Sequence, residues 1–365
     1  YGLQGGATLS VNLLPGLNFK TMATMYMKYD TKLDWTDRNA DGDGIVNRGV
    51  YNNNTFIDLL SENTLTYKKE LNEKNTLEVL LGYTAQQTKS TSSQTTGLDY
   101  PSDEINTLNN ALYIDKSGTF GTKNQIGLLS YLGRVNYEYD NKYIVTVNMR
   151  RDATSRFPEA NRWGTFPSIA AGWKISEEKF FEPLKNKINL LKLRGSFGQT
   201  GNESIPSNRN ITTIINSAAN RYGTTDIMAA GSSISIGNTE ITWEKTNSYD
   251  VGFEFAFLNN RVSSSVAYYK QKVSDMLLQI STPPSAAIGS VFGNVGDMEN
   301  SGLEFSINSF NVNTTHFKWN TSFNFSTNHN KILRLTPEME RQKGNILFVG
   351  GSLGLFKMSD YAGID

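Results

Sequence analysis

The feature that most restricts how this chain can fold is a two-residue hydrophobic period that recurs in several separate segments. In YDVGFEFAF at 249–257, Tyr249, Val251, Phe253, Phe255 and Phe257 fall on one face, while Asp250, Gly252, Glu254 and Ala256 fall on the other. Successive side chains of a strand point to opposite faces, so this segment reads as a strand with one apolar side and one polar side. Phe317, Trp319, Thr321, Phe323 and Phe325 alternate in the same way with Lys318, Asn320, Ser322, Asn324 and Ser326. So do Tyr143, Val145, Val147 and Met149 with Ile144, Thr146, Asn148 and Arg150, and Leu303, Phe305 and Ile307 with Glu304, Ser306 and Asn308.

The connections between these segments are lopsided. Short polar turns are expected at 14–16, 71–75, 139–142, 258–261 and 311–315, and long stretches rich in Asn, Ser, Thr, Gly and Asp at 31–62, 89–125, 200–242, 274–300 and from 329 onward. Short and long connections alternate, as they do in an outer-membrane barrel, whose periplasmic turns are short and whose extracellular loops are long. The apolar face would then meet lipid and the polar face a wet lumen. The competing folds are a large soluble β-sandwich, a β-helix or a propeller. Aromatic residues near strand ends (Tyr26, Tyr29, Tyr137, Tyr139, Tyr143, Trp173, Trp243, Tyr268 and Tyr269) favour the barrel, because barrels carry aromatic girdles at both interfaces. Helical turns are expected at 176–184, where Ser176 precedes acidic and then apolar residues, and at 102–112.

Composition narrows the function classes. Lysine plus arginine and aspartate plus glutamate both total 35, so no net field draws the chain to nucleic acid. There is no cysteine, which excludes disulfides and thiolate chemistry, and the two histidines, His316 and His329, are too few for a histidine-rich metal site. No apolar run is long enough for a membrane-spanning helix.

Several longer motifs carry a resemblance. RRDATSRF at 150–157, NRWGTFPS at 161–168 and AGWKISEE at 171–178 are followed by LKLRGSFGQTGN at 191–202, WEKTNSYDVGF at 243–253, YYK at 268–270 with DMLL at 275–278, and NVGDMENSGLEF at 294–305. In order and spacing they resemble the barrel signature of SusC/RagA-type TonB-dependent outer-membrane transporters, strongly over 130–310 and by barrel pattern alone in the flanks. The resemblance implies an all-β, antiparallel transmembrane barrel of about 22 strands with a plugged lumen, in the outer membrane of a Gram-negative bacterium. It further implies energising by the inner-membrane TonB complex, a SusD-type surface lipoprotein as partner, and an oligosaccharide or peptide as cargo. Residues 1–365 are expected to form part of that barrel, with the plug, TonB box and closing strands outside them. The other readings of such a barrel are a passive porin-like channel and a structural or adhesive element of a surface assembly.

Arg150, Arg156, Arg162, Trp163 and Asn202 are the candidate substrate-binding residues, with Arg151 and Asp152 beside them, where strands leave the membrane and return. Aromatic and charged groups together suit sugars or peptides; the alternative is a ladder that fixes strand pairing, which a motif shared by transporters of different cargo favours. Strand parity turns Arg134, Asn136, Thr146, Asn148, Arg150, Lys192, Arg194, Glu254, Glu304, Asn320 and Asn324 toward the lumen. GQTG at 198–201 lacks the lysine of a phosphate loop and enters a long connection rather than a helix, so its glycines are assigned to a sharp exit from the barrel rim. Neither histidine sits beside a nucleophile-like elbow, so no catalytic role is expected.

DRNADGDGIVNRG at 37–49 resembles a calcium loop in part. Asp37, Asn39, Asp41, Asp43 and Asn47 occupy plausible ligand positions, but the bidentate glutamate at position twelve is missing in either register. A structural calcium ion there would need a carboxylate from elsewhere, such as Asp58 or Glu62; otherwise the stretch is a solvated turn. No other cofactor is expected.

Overall fold

The computed structural model describes residues 1–38, 46–216, 232–282, 290–337, 339, 347–355 and 358. Its main body is one 13-stranded antiparallel sheet in which almost every strand pairs with its neighbour in sequence. The long hairpin strands come first: β1 (Gly2–Leu14), β2 (Leu17–Thr36), β3 (Arg48–Asn72), β4 (Asn75–Leu98) and β5 (Tyr113–Tyr139). They are followed by β6 (Tyr143–Thr154), β7 (Trp163–Lys174) and β8 (Ile188–Asn202). A small hairpin, β9 (Thr213–Asn216) with β10 (Ser232–Ser235), leaves the sheet before β11 (Glu244–Phe257) and β12 (Val262–Ser274). A second, β13 (Leu277–Ser281) with β14 (Ser290–Asn294), leaves it before β15 (Asp297–Asn313), β16 (Lys318–Ser326) and β17 (His329–Arg334). The strand order is that of an up-and-down barrel wall, with short turns at one end and long connections at the other.

The short turns have the chemistry their geometry demands. Asp140 and Asn141 both have positive φ (50° and 54°) at the centre of a β-turn closed by Lys142 N donating to the Tyr139 carbonyl (2.9 Å), a turn whose twist matches the flanking strands. Leu258, Asn259 and Asn260 are likewise left-handed. Asparagine and aspartate tolerate that region better than branched residues do.

Two expected loops are much shorter than their composition suggests. The stretches 31–62 and 89–125 are largely strand: β2 runs to Thr36, β3 starts at Arg48, β4 runs to Leu98 and β5 starts at Tyr113. A tilted strand needs only about ten residues to cross a bilayer, whereas β3 has 25 and β5 has 27. The excess continues the wall outward as a polar sheet. Both faces are wet there, so the hydrophobic alternation disappears, but the backbone still has to pair. Cross-strand side chains replace apolar contact: Asp58 accepts from Gln86 Nε2 (2.9 Å) and Thr88 Oγ1 (2.7 Å), and Asn54 accepts from Ser92 Oγ (2.5 Å).

The helical expectations are met only by short 3-10 segments, at Leu108–Asn110, Ile175–Glu177 and Lys179–Leu184. Ser176 is buried and makes no capping hydrogen bond, because the segment starts from Lys174 and turns too tightly for a helical cap.

The apolar faces remain open, as a lipid-facing wall requires. Val145, Val147 and Met149 are exposed on β6, as are Tyr249, Val251 and Phe253 on β11. Near the short-turn end, Tyr139 stacks on Tyr143 and Tyr143 on Trp173 (ring centres 6.2 and 6.4 Å apart), forming one girdle. Three assigned girdle residues turn elsewhere, the first being Tyr26, whose pairing with Asp58 puts it on the polar face of β2, opposite to Met25, Met27 and Tyr29. Tyr269 shares its face with Gly302, opposite to Tyr268, and its hydroxyl donates to Asn328 Oδ1 (3.1 Å), because adjacent strand residues cannot both face lipid. Trp243 is only 3 % exposed and belongs to a packed cluster at the rim.

Candidate functional site: the lumen wall and its outer rim

The inward face carries a continuous polar ladder, and it is built largely from the residues that parity selects. Thr146 Oγ1 donates to Asn136 (2.8 Å), Arg134 Nε to Asn148 (2.6 Å) and Asn148 Nδ2 to Ser168 (3.0 Å). Higher up, Arg150 Nε donates to both Asp152 oxygens (2.8 and 2.9 Å) and its Nη2 to Ser130 (3.0 Å). On the neighbouring strands Arg194 pairs with Asp250 (2.5 Å) and Glu254 (3.4 Å), and Lys192 also pairs with Glu254 (3.3 Å). These pairs are about a quarter to a little over a third exposed, so each adds at most about 1 kcal/mol to stability. What they set is a wet, charge-balanced surface.

Above this ladder the wall changes character. The β7–β8 ladder ends at Ser168–Gly198, and beyond it the Phe166 ring, on the same face as Ser168 and Arg150, fills the space between the two strands. A Cβ on Gly201 would stand 2.1 Å from Phe166 Cζ, so this glycine is required for close approach and not, as its composition suggests, for a sharp turn out of the barrel. Trp243 meets Phe157 and Phe166 edge-on (both 5.3 Å), and its indole nitrogen donates to the Arg162 carbonyl (3.1 Å). Ile205 and Ile241 complete the buried group, and Leu277 and Phe292 of the β13–β14 hairpin pack against it. Asn294 fastens that hairpin, accepting from Thr242 N (2.8 Å) and donating to the carbonyls of Thr242 (2.8 Å) and Asp275 (2.9 Å).

Between the ladder and the cluster lies a cavity of about 570 Å³, lined among others by Arg134, Arg150, Asp152, Phe166, Glu203 and Trp243. The guanidinium and carboxylate groups can hydrogen-bond a polar oligomer there, while Phe166 and Trp243 are almost fully buried and serve as the packed floor. Glu203 sits just past the end of β8. Burial pushes its carboxyl above the usual range, outweighing a hydrogen bond from Thr154 and the Arg156 guanidinium 3.6 Å away, while Asp152 adds to the rise. A carboxyl raised by folding stabilises the fold most below its unfolded pKa, and that contribution is lost as pH rises through the folded value. Amide exchange around 203–205 should therefore quicken as pH is raised from the ordinary glutamate range, after correction for intrinsic exchange. Glu203→Gln should flatten the profile, and an unchanged profile would refute the assignment.

The candidate residues are distributed as follows. Arg150 lines the cavity, half exposed although tied to Asp152. Arg156 Nη1 donates to the Ile205 carbonyl and holds the rim rather than the lumen. The Arg162 side chain is exposed, and only its carbonyl enters the cluster. Trp163 lies on the outward face, stacked on Tyr131 (6.0 Å) with the Arg151 guanidinium 5.0 Å from its ring centre, so it joins the outer aromatic belt. Asn202 donates to Glu244 (3.0 Å) at the strand ends. Pattern reading left Phe166, Glu203 and Glu244 unassigned. The local signal for the first two was Phe166 at an inward-facing position beside arginine and Glu203 next to Asn202.

Of the calcium-loop residues, Asn39, Asp41 and Asp43 lie outside the described residues. Asp37 accepts from the Trp35 indole (2.6 Å). Asn47 is buried: its Oδ1 accepts from Tyr100 N (2.6 Å), and its Nδ2 donates to the Tyr100 carbonyl (3.1 Å) and Asp103 (2.7 Å). Asp58 and Glu62 cannot complete a site there. They lie ten and fourteen residues down β3 from Arg48, roughly 33 and 46 Å away at the rise of a strand. Tyr100 explains two glycines nearby, since a Cβ on Gly97 would meet its hydroxyl at 2.2 Å and one on Gly49 at 2.9 Å. Among the described residues no group of three or more His, Cys, Asp or Glu side chains is placed to hold a metal ion.

Comparison with known proteins agrees with this architecture. The family model for the TonB dependent receptor-like β-barrel matches residues 3–353. TonB-dependent receptor P39 of Formosa agariphila is 35 % identical over 95 % of this chain and 33 % of its own length. TonB-dependent receptor SusC of Bacteroides thetaiotaomicron is 38 % identical over 60 % of this chain and 22 % of its own length. The solved RagAB peptide transporter shares the fold, with a TM-score of 0.80 at 24 % identity over 92 % of this chain and 37 % of that one. The chain thus spans a third or less of the length of the curated relatives it matches. With an antiparallel wall, an apolar outer face, a polar lumen face and a family match over nearly its whole length, the chain belongs to the TonB dependent receptor-like β-barrel family, as a sector of a SusC-type barrel of the outer membrane.

Proposed function

We propose that the protein containing this barrel sector is an active importer, which takes up an oligosaccharide or short peptide through the outer membrane without covalent chemistry. The observation that carries this reading is the lumen wall: paired charges and amides from Asn136 to Glu254 make much of the inward face polar, and the cavity beside Arg150, Asp152 and Glu203 offers hydrogen-bonding groups next to the apolar side chains of Leu128 and Leu132. A polar oligomer can exchange its hydration for such a surface at little cost. In this reading a plug closes the lumen, TonB supplies the pull from the inner-membrane proton gradient, and a SusD-type lipoprotein presents cargo at the outer rim. RagAB is described as a peptide transporter, which makes peptides one arm of the test.

Cells lacking the gene, and the same cells complemented, should be compared for uptake of labelled oligosaccharides and peptides. Complementation should restore uptake of at least one class, and collapse of the inner-membrane proton gradient should abolish it. Uptake that survives the uncoupler would indicate a passive channel, and equal uptake of every compound by both strains would indicate a structural barrel.

A further inference from the structure

We propose that the segment Ile175–Leu184, between β7 and β8, is a membrane foot that lies outside the barrel wall and inserts Phe180 and Pro183 into the periplasmic leaflet of the outer membrane. Three observations carry this. First, Glu178 accepts hydrogen bonds from the Tyr143 hydroxyl and the Trp173 indole nitrogen (3.1 Å), and both rings belong to the girdle on the lipid-facing side. The segment is therefore clasped to the outer surface and cannot be folded beneath the lumen. Lys142 closes the clasp, 3.8 Å from Glu178 and 2.9 Å from Asp140 of the adjoining turn.

Second, a 3-10 turn has three residues per turn, so Lys179–Leu184 presents three distinct faces. Phe181 and Leu184 share the face of Glu178, and Phe181 is buried. Lys179, Glu182 and Lys185 form a polar face, with Lys185 paired to Glu177 at 2.8 Å. Phe180 and Pro183 form the third, apolar face, and Phe180 is 68 % exposed.

Third, this exposed ring continues an interface already in place. Tyr139, Tyr143 and Trp173 mark the level where the wall leaves the hydrocarbon. Leu184 and, on the neighbouring turn, Leu258 are exposed at the same end, and Leu258 N donates to the Lys187 carbonyl (3.2 Å). A segment with one polar and one apolar free face, held at that level, has its lowest free energy with the apolar face in the leaflet and the polar face in the periplasm.

The test uses the full-length protein in phosphatidylethanolamine and phosphatidylcholine vesicles, with a spin label on Phe180→Cys and, separately, on Lys179→Cys. The Phe180 label should be relaxed by oxygen and shielded from a water-soluble nickel complex, with an accessibility ratio several-fold above that of the Lys179 label. Equal nickel access at both sites would overturn the foot. Shielding of both from oxygen and nickel alike would also overturn it, by showing that protein covers the segment. If Phe180→Cys does not assemble, Pro183→Cys reports the same face.

Discussion

Trp243→Ala is expected to loosen the outer rim while leaving the barrel wall intact. The indole is almost fully buried between Phe157 and Phe166, and its truncation removes those contacts and the hydrogen bond to the Arg162 carbonyl. Aromatic-to-alanine changes in a packed core cost about 3–5 kcal/mol. Because Leu277 and Phe292 rest on the same cluster, the loss falls on the β13–β14 hairpin and on 203–205. Hydrogen exchange of the full-length protein in detergent should show those amides opening two to three orders of magnitude more readily, with β5, β6 and β11 unchanged near the short turns. Uniform exchange across the chain, or none gained at the hairpin, would remove the cluster as the rim's fastening.

A charge placed on β6 should discriminate the two faces by parity alone. Val147 is exposed among Val145 and Met149, whereas Thr146 points inward and donates to Asn136. Val147→Arg, near mid-strand, should destabilise the folded barrel by about 2–4 kcal/mol, while lumen substitutions are tolerated. Thr146→Arg should therefore cost under about 1 kcal/mol. Denaturant unfolding of the full-length protein from vesicles measures both. Equal penalties would contradict a lipid-facing assignment of the odd-numbered face.

These expectations also explain why the longest motifs of the chain are what they are. Arg156, Phe157, Phe166, Gly201, Trp243 and Asn294 all belong to stretches that resemble a transporter signature, and in the folded chain they meet at one place, the rim. Their work is to fasten hairpins to the wall. Asp297 extends it: Arg334 donates to both its oxygens (3.0 and 3.1 Å) and lies 3.6 Å from Asp275. That role is independent of cargo. Under the proposed import function, cargo recognition would fall to the surfaces these fasteners position, including the cavity beside Arg150 and Glu203.

The membrane-spanning halves of the strands were legible from residues alone, because lipid on one side and water on the other impose a strict period of two on segments such as 143–150 and 249–257. The short turns were legible for a related reason: Asp140, Asn141, Asn259 and Asn260 are residue types that accept positive φ. Beyond the lipid that constraint vanishes. Asn52, Asn53 and Asn54 pair with Gln94, Ser93 and Ser92 as regular strand, yet no alternation announces it, since both faces are hydrated. Trp243 and Phe166 illustrate the second gap: an aromatic residue near a strand end reads the same whether it faces a headgroup, a lumen or a neighbouring hairpin. Which of these it meets depends on where β7 parts from β8 above Ser168 and Gly198, a distance in space between residues thirty positions apart. Local chemistry therefore decided the wall, its two faces and its turns, while the rim, the cavity and the outward placement of Ile175–Leu184 came from long-range packing, which acts between side chains that no local period relates.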